Sequence, residues 1–153
     1  MWFSRKQVAK SSKDQAAVPA SQVTTKRQGD AAEALALRHL IKAGLTMVET
    51  NYRTPGRGGG EIDLIMRAPD GTLVFVEVRQ RSGQSHGGAG ASIGAVKQRR
   101  IIMAARHYLM RFASLPPCRF DVVLIEGSEG GKVNVGSANG VKLEWLQAAF
   151  DAS

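Results

Sequence analysis

Residues 60–79, GEIDLIMRAPDGTLVFVEVR, constrain the fold more than any other part of the chain. Two runs in which apolar residues alternate with other residues, 61–67 and 73–79, flank the turn-forming sequence PDG at 69–71. Alternation over this length is typical of a β-strand, while proline and glycine suit the backbone angles of a tight turn. The sequence therefore predicts an antiparallel hairpin.

The length of the turn fixes which residues of the hairpin face each other. With residues 69–71 as a three-residue loop, paired positions have residue numbers that sum to about 140, as the loop geometry requires. Asp63 then lies opposite Glu77, and Glu61 lies opposite Arg79. The register thus brings two carboxylates together in the middle of an apolar hairpin.

Regular alternation also assigns the side chains of the first strand to the two faces of the sheet. Ile62, Leu64 and Met66 should share one face, and Ile65 should lie on the other face with Asp63. On the second strand, the same alternation places Glu77 on one face with Leu73, Phe75 and Arg79, and the three valines Val74, Val76 and Val78 on the other.

Facing carboxylates on neighbouring strands repel each other, so this hairpin needs an explanation. A divalent cation reverses the interaction, and Mg²⁺ or Mn²⁺ binds one or two carboxylates while keeping positions for water and phosphate oxygens. Asp63 and Glu77 are therefore candidate metal ligands, with Glu61 as a third. Alternatively, Glu61 pairs with Arg79 and this sheet face is simply exposed to water. Alternation alone leaves both interpretations open.

Helical patterns precede and follow the hairpin. Asp30 and Glu33 have the spacing of a capping box, which predicts a helix over residues 31–43 that ends at Gly44. A second helix is predicted over residues 93–112, and a terminal amphipathic helix over residues 141–150. Further strands are predicted at 45–53, 119–126 and, as a short edge strand, 132–135. Asp121 is expected to be structural and to pair with an arginine.

The second predicted helix carries basic residues and no acidic ones. Next to a carboxylate site, such a helix suits contact with a phosphate backbone. The alternative is that long basic side chains only cover apolar surface and aid solubility. The candidate nucleic-acid-binding residues are Lys97, Arg99 and Arg100.

The net charge of +8 is unevenly distributed. Residues 1–28 contain six basic residues and one acidic residue, in a Ser-, Ala- and Gln-rich context that predicts a disordered basic tail before a domain at 29–153. Such a tail either attracts polyanions or is a solvated leader without a role. The single cysteine, Cys118, and the lack of a signal peptide or a membrane-length apolar run predict a cytoplasmic protein.

Several short motifs occur in one order along residues 29–150, and together they resemble the YraN-like family of small bacterial proteins. These motifs are Gly29…Glu33, Asn51-Tyr52-Arg53, Gly60-Glu61-Ile62-Asp63-Leu64-Ile65, Phe75-Val76-Glu77-Val78, Lys97-Gln98-Arg99-Arg100 and Arg119-Phe120-Asp121-Val122. That family is similar to the restriction-endonuclease-like, or PD-(D/E)xK, nuclease superfamily and to archaeal Holliday-junction resolvases. The resemblance implies an α/β fold in which a small mixed sheet is flanked by helices.

The resemblance also implies an activity and a set of site residues. It implies a Mg²⁺- or Mn²⁺-dependent endonuclease acting on DNA phosphodiesters, with branched or structured DNA as the expected substrate. Asp63 matches the first acid of the superfamily, Glu77 the acid of its Glu-x-Lys motif, and Glu33 the acid on its first helix. Glu61 belongs to the family's own motif and is implied as an extra ligand or as a supporting residue.

Arg79 departs from the superfamily pattern, which has lysine two residues after the acid. Arginine stays protonated, so it can stabilise charge on a phosphate but cannot act as a base. Lys97 is a candidate substitute, and the alternative function is a nucleic-acid-binding module that has lost the chemistry. A symmetric cut of a four-way junction would need a homodimer, although no pattern identifies an interface.

Overall fold

The chain has an α/β fold in the computed structural model, which describes residues 20–81, 93–127 and 140–152. In these ranges one five-stranded sheet is packed between two helices. The elements are α1 (Ala20–Lys42), β1 (Thr46–Arg53), β2 (Glu61–Arg67), β3 (Leu73–Arg81), α2 (Ala95–Leu109), β4 (Cys118–Glu126) and β5 (Lys142–Phe150). Across the described ranges, neither helix is long and apolar enough to cross a membrane.

The strands lie in the order β1-β2-β3-β4-β5, and β3 and β4 form the parallel pair of an otherwise antiparallel sheet. A parallel pair needs a long crossover connection, which α2 provides. Two apolar clusters fill the spaces between the sheet and the helices. One contains residues of α2 and the other contains residues of α1, so each helix covers one face of the sheet. This confirms the predicted mixed sheet flanked by helices.

The predicted register of the hairpin is confirmed. Leu64 lies opposite Val76 and Ile65 opposite Phe75, so that paired residue numbers sum to 140. Gly71 closes the turn with a φ of 90°, a left-handed conformation that glycine adopts without steric cost. The turn sequence and its length were therefore sufficient to place the two strands relative to each other.

The predicted assignment of faces on β2 is wrong at one point. Ile62 and Ile65 both contribute to the cluster beneath α2, whereas Leu64 and Met66 contribute to the cluster beneath α1. The strand therefore changes the face it presents between Ile62 and Leu64, and Asp63 is the residue at the change.

The neighbouring strand shows the physical reason for this change of face. Asn51 has a φ of 52° and lies between the cross-strand pairs Tyr52–Ile62 and Thr50–Leu64. A left-handed residue interrupts the regular alternation of a strand, and asparagine is one of the few residues that tolerate it. The side-chain pattern of β2 alone does not reveal this irregularity, because it arises on β1.

Helix α1 begins earlier than predicted. It starts at Ala20, so Asp30 and Glu33 lie in its interior and the predicted capping box is wrong. Residues 20–28, which we assigned to the basic tail, are part of this helix; residues 1–19 lie outside the described ranges, and the domain boundary stays a prediction. The predicted end is confirmed, since Gly44 has a φ of 102° immediately beyond the last turn.

The predicted second helix is present in the structure, whereas the predicted edge strand is not covered by the described residues. Helix α2 is confirmed with shorter bounds, Ala95–Leu109. The predicted edge strand at 132–135 lies outside the described residues, as does most of the glycine- and serine-rich segment that follows β3.

The prediction of a terminal helix over residues 141–150 is wrong, because this segment is strand β5. Trp145 faces the same side of the sheet as Leu143, whereas Leu146 and Phe150 contact the cluster on the opposite side. The strand has an irregularity in its pairing with β4, and Ala148 has a φ of 48°. Leu143 and Leu146 are three residues apart because they face opposite sides of the sheet, and the irregularity places Phe150 four residues after Leu146 on one side. Together these intervals imitate the pattern of a helix.

Asp121 holds this irregular segment in place. Its side chain is fully buried and accepts hydrogen bonds from Arg119 Nε at 3.1 Å, Trp145 Nε1 at 2.9 Å and the backbone N–H of Ala148 at 3.0 Å. A buried carboxylate is tolerated when it is paired and hydrogen-bonded in this way. The predicted structural role of Asp121, with an arginine partner, is confirmed.

We expect Asp121→Ala to destabilise the protein by about 3 to 5 kcal/mol, because it leaves a half-buried arginine, an indole N–H and a backbone N–H without their acceptor. Urea denaturation of both proteins measures the difference. Asp151→Ala, at an exposed aspartate just after β5, is the matched control and should change stability by less than about 0.5 kcal/mol. An Asp121 variant as stable as this control would contradict the structural role.

Candidate metal centre

Asp63 and Glu77 lie where the two strands of the hairpin separate. Pairing between β2 and β3 stops at Leu64 and Val76, although both strands continue, each paired with its outer neighbour. Beyond that point Asp63 Oδ2 accepts a hydrogen bond from the backbone N–H of Val78 at 2.8 Å. The carboxylate thus bonds to an N–H group that lies just beyond the last cross-strand pair of the hairpin.

The side chain of Glu77 contacts a lysine from the other side of the site. Lys97, in the first turn of α2, places Nζ 3.3 Å from Glu77 Oε1. The second oxygen, Oε2, is buried and has no hydrogen-bond partner among the described residues. Glu77 therefore presents one oxygen to a cation of the protein. A hydrogen bond between the Glu77 and Asp63 side chains also contributes to the pKa values of both acids.

The pKa values of both Asp63 and Glu77 are raised, because nearby positive charge and hydrogen bonds offset the cost of burial only in part. Burial, and then the negative charge of Asp63, raise the pKa of Glu77 to about 7, although Lys97 opposes the shift. Burial also raises the pKa of Asp63, against the hydrogen bond from Val78 and the charge of Lys97. A second positive charge at this point would stabilise both carboxylates.

Glu33 approaches the same acids from α1. Burial, and then the negative charge of Asp63, raise its pKa, while a hydrogen bond with the Asn51 side chain lowers it. Glu33 therefore points at the sheet and does not cap its helix. Glu33 and Asn51 line a cavity of about 240 Å³, together with Asp30, Ala34, Leu37, Thr50 and Leu64.

Glu61 makes a different ion pair from the predicted one. Its Oε1 lies 3.1 Å from Arg53 Nη2, and these two residues face each other across β1 and β2. The predicted cross-strand partner, Arg79, lies on β3, half-buried, two residues after Glu77 and next to Leu124 of β4. The expectation that Glu61 pairs with Arg79 is therefore wrong.

The residues of the site fit a divalent cation bound by two carboxylates. Within the described part of the chain, no group of three or more histidine, cysteine, aspartate or glutamate side chains is placed to hold a metal ion together. The half-buried Asp63 and the buried Glu77 nevertheless offer carboxylate oxygens as ligands, and Glu77 Oε2 has no hydrogen-bond partner among the described residues. Mg²⁺ commonly binds through one or two carboxylates, and water and substrate oxygens complete its coordination.

A glycine brings the start of β2 against α2. A Cβ atom on Gly60 would lie 1.9 Å from the carbonyl oxygen of Arg100, so only glycine permits this approach. Arg100 and Arg99 are exposed on α2, close in sequence to Lys97. The predicted basic residues therefore divide into Lys97, which contacts the acid pair, and two arginines that face solvent.

The sequence motif Asn51-Tyr52-Arg53 is explained by contacts that the sequence did not reveal. Asn51 bonds to Glu33 of α1, the hydroxyl of Tyr52 lies 2.5 Å from His107 Nδ1 near the end of α2, and Arg53 pairs with Glu61 of β2. The only signal in the sequence was an asparagine within a strand pattern. Asn51 is the site residue that sequence reasoning missed.

Comparison with known proteins places the chain in a family. Residues 32–125 match the model of the uncharacterised protein family UPF0102. The chain belongs to the UPF0102 family. Among similar proteins, a UPF0102 protein from Polaromonas naphthalenivorans is 68% identical over the full length of both chains, and one from Polaromonas sp. strain JS666 is 69% identical, also over the full length. A third, from Albidiferax ferrireducens, is 66% identical over 84% of this chain and 91% of its own.

UPF0102 membership confirms the family resemblance that the ordered motifs indicated. The matched region includes α1 from Ala32 onward, the hairpin, α2 and most of β4. It therefore contains the residues of the candidate centre, namely Glu33, Asn51, Asp63, Glu77 and Lys97.

We expect Glu77→Gln to change how stability depends on pH in metal-free buffer. The pKa of Glu77 is about 7, against an ordinary value of 4.5, so between these pH values the folded protein keeps a proton that the unfolded chain loses. Stability of the native protein therefore falls as pH rises through this window. Glutamine does not ionise, so the variant should gain on the order of 1–3 kcal/mol relative to the native protein between pH 4.5 and pH 8.

Urea denaturation at both pH values, with EDTA present, measures this gain. Glu144→Gln, at an exposed glutamate on β5, is the matched control, and its difference from the native protein should be the same at both pH values. A Glu77 variant that behaves like this control would show that ionisation of Glu77 does not destabilise the folded protein.

We also expect Asn51→Gly to raise the pKa of Glu33 further. Glycine keeps the left-handed backbone at this position but removes the amide that stabilises the Glu33 carboxylate. A pH titration followed by the carboxyl-carbon chemical shift of Glu33 measures the change, with Asp70 in the distant turn as the internal reference. An unchanged Glu33 titration would mean that Asn51 does not position this acid.

Proposed function

We propose that this UPF0102 protein is a metal-dependent endonuclease that hydrolyses DNA phosphodiesters, with branched or structured DNA as the expected substrate. One observation carries the proposal. The half-buried Asp63 and the buried Glu77 lie where the hairpin strands separate, with a Glu77 oxygen that has no hydrogen-bond partner among the described residues on one side and Lys97 on the other.

The cost of burial supports a functional role for this pair. Two adjacent carboxylates with raised pKa values destabilise the fold, and strongly perturbed acids are found most often at functional sites. A structural pair would be expected to have full hydrogen bonding, as Asp121 has. Glu77 Oε2 lacks it, which is the arrangement that a ligand of a bound cation would have.

The chemistry of the site suits phosphodiester hydrolysis. When bound, Mg²⁺ or Mn²⁺ supplies Lewis acidity toward phosphate and activates water for attack on phosphorus. Asp63 and Glu77 would hold the cation, and Glu33 and Glu61 lie near enough to contribute negative charge to the site. Arg79 would stabilise charge on the phosphate oxygens, because its guanidinium remains protonated.

DNA is the proposed partner because of the charge around the acids. The exposed Arg99 and Arg100 follow Lys97 on α2, and the chain as a whole carries +8. Phosphate contacts of this kind give affinity without sequence preference. They fit a nuclease that recognises the shape of its substrate.

A second candidate function is a DNA-binding module of the same fold without hydrolytic activity. The observation that favours it is Arg79, which stands where the nuclease superfamily has lysine. In that case the protein would bind DNA and a divalent cation without cutting the strand.

Cleavage of linear, flap and four-way DNA with Mn²⁺ tests the proposal. We expect the native protein to cut at least one substrate, and Asp63→Asn and Glu77→Gln to lose at least about 10²-fold in rate because each removes a cation ligand. Calorimetry should show that Asp63→Asn also loses Mn²⁺ binding while remaining folded. Glu144→Gln is the matched control and should behave as the native protein.

The outcomes separate the two functions. A native protein that binds Mn²⁺ and DNA but cuts none of the three substrates would support the binding module. Equal cleavage and equal Mn²⁺ affinity in native protein and Asp63→Asn would remove the metal centre altogether.

A further inference from the structure

Lys97 is a cation on helix α2 that contacts the acid pair, whose members lie on strands β2 and β3. It lies two residues into α2, and its ammonium is 3.3 Å from Glu77 Oε1. The side chain of Glu77 is 9% exposed, whereas that of Lys97 is 45% exposed. The lysine therefore has one side against a buried carboxylate and the other toward solvent.

The ammonium group of Lys97 has N–H donors that the contact with Glu77 does not use. It carries three N–H groups and no acceptor, and the contact with Glu77 Oε1 uses one of them. The remaining donors can reach an anion that approaches from solvent. A phosphate that approaches the free oxygen of Glu77 through a bound cation would come within range of the same ammonium.

We propose that Lys97 is a catalytic residue of the site: it contacts the scissile phosphate from helix α2 and neutralises it together with Arg79 of strand β3. This inference rests on the proposed nuclease function and names the group that neutralises the reacting phosphate. Lys97 donates to a non-bridging phosphate oxygen, and its charge offsets the negative charge that develops there during attack by water.

The difference between the Lys97 and Arg79 side chains supports a phosphate contact by Lys97. Lysine is a compact charge on a flexible stem, which can move from Glu77 to a phosphate oxygen as substrate binds. Arg79 follows Glu77 by two residues on a strand that is paired with β4 along its length. Its backbone position is therefore fixed by the sheet, while Lys97 approaches from the adjoining helix.

The binding test measures DNA affinity at several salt concentrations, with Ca²⁺ in place of Mn²⁺ and labelled four-way DNA as the probe. We expect Lys97→Met to make the salt dependence shallower by about 0.9, the value for one lost phosphate contact. Lys97→Arg keeps the charge and should keep the native slope. Lys142→Met, at an exposed lysine on β5, is the matched control and should also keep the native slope.

The cleavage test asks whether the contact is made to the reacting phosphate. We expect Lys97→Met to lose about 10²- to 10³-fold in rate at saturating DNA, the range for removing one charge-stabilising donor. Adding Arg79→Lys to that variant should recover at least about tenfold, because it supplies an ammonium from the strand. Absence of any recovery would overturn the claim that the two positions serve the same phosphate.

Mn²⁺ affinity separates a catalytic role from a supporting one. If Lys97 only holds Glu77 in place, Lys97→Met should weaken Mn²⁺ binding along with cleavage, and that result would overturn the proposal. If Lys97 contacts phosphate, the variant should bind Mn²⁺ as tightly as the native protein or more tightly, because a positive charge beside the ligand has been removed.

The failure of this inference is distinguishable from failure of the proposed function. A native protein that neither binds nor cuts DNA would remove both. A native protein that cuts DNA, together with a Lys97→Met variant of equal rate and equal salt slope, would remove only the role of Lys97.

Discussion

The hydrogen bond from the Val78 N–H to the Asp63 carboxylate marks the point on which the candidate centre depends. Up to Leu64 and Val76 the central strands are paired with each other, and beyond it each pairs only with its outer neighbour. Strands that separate leave backbone groups that need other partners, since buried N–H groups are almost always bonded. A carboxylate meets that need here, and the separation gives room for a second carboxylate beside it.

Residues of strand β1 and of the two helices, which pack against the sheet, surround the acid pair. The left-handed Asn51 of β1 bonds to Glu33 of α1, and the close contact of Gly60 with Arg100 seats the beginning of β2 against α2. Lys97 then reaches Glu77 from the first turn of that helix. The fold thus brings an ammonium group to the acid pair where the strands separate, and tertiary packing sets the positions of Glu33 and Lys97 relative to the hairpin.

The sequence correctly predicted those features of the fold that depend on residues close together in the chain. The turn at 69–71 and the alternation around it gave the hairpin register, and with it the juxtaposition of Asp63 and Glu77. The change of face at Asp63 was not predictable, because the left-handed residue responsible lies on β1. Strand β5 was mistaken for a helix for a similar reason, since Asp121 on β4 bonds to the irregular segment that puts Phe150 four residues after Leu146 on one face. Errors arose where one strand determines the conformation of another.

Asp121 and Asp63, two aspartates of the sheet, differ in how fully the protein compensates their charge. Asp121 has an arginine, an indole and a backbone N–H as donors, so its charge is compensated within the protein. Burial raises the pKa of Asp63 although the backbone N–H of Val78, a hydrogen bond with the Glu77 side chain and the charge of Lys97 all oppose the shift. A folded protein can hold such a deficit only because the rest of the core compensates for it, and the deficit is largest in the absence of a cation. The incomplete pairing of Asp63 and Glu77 is therefore the feature on which the proposed metal centre rests.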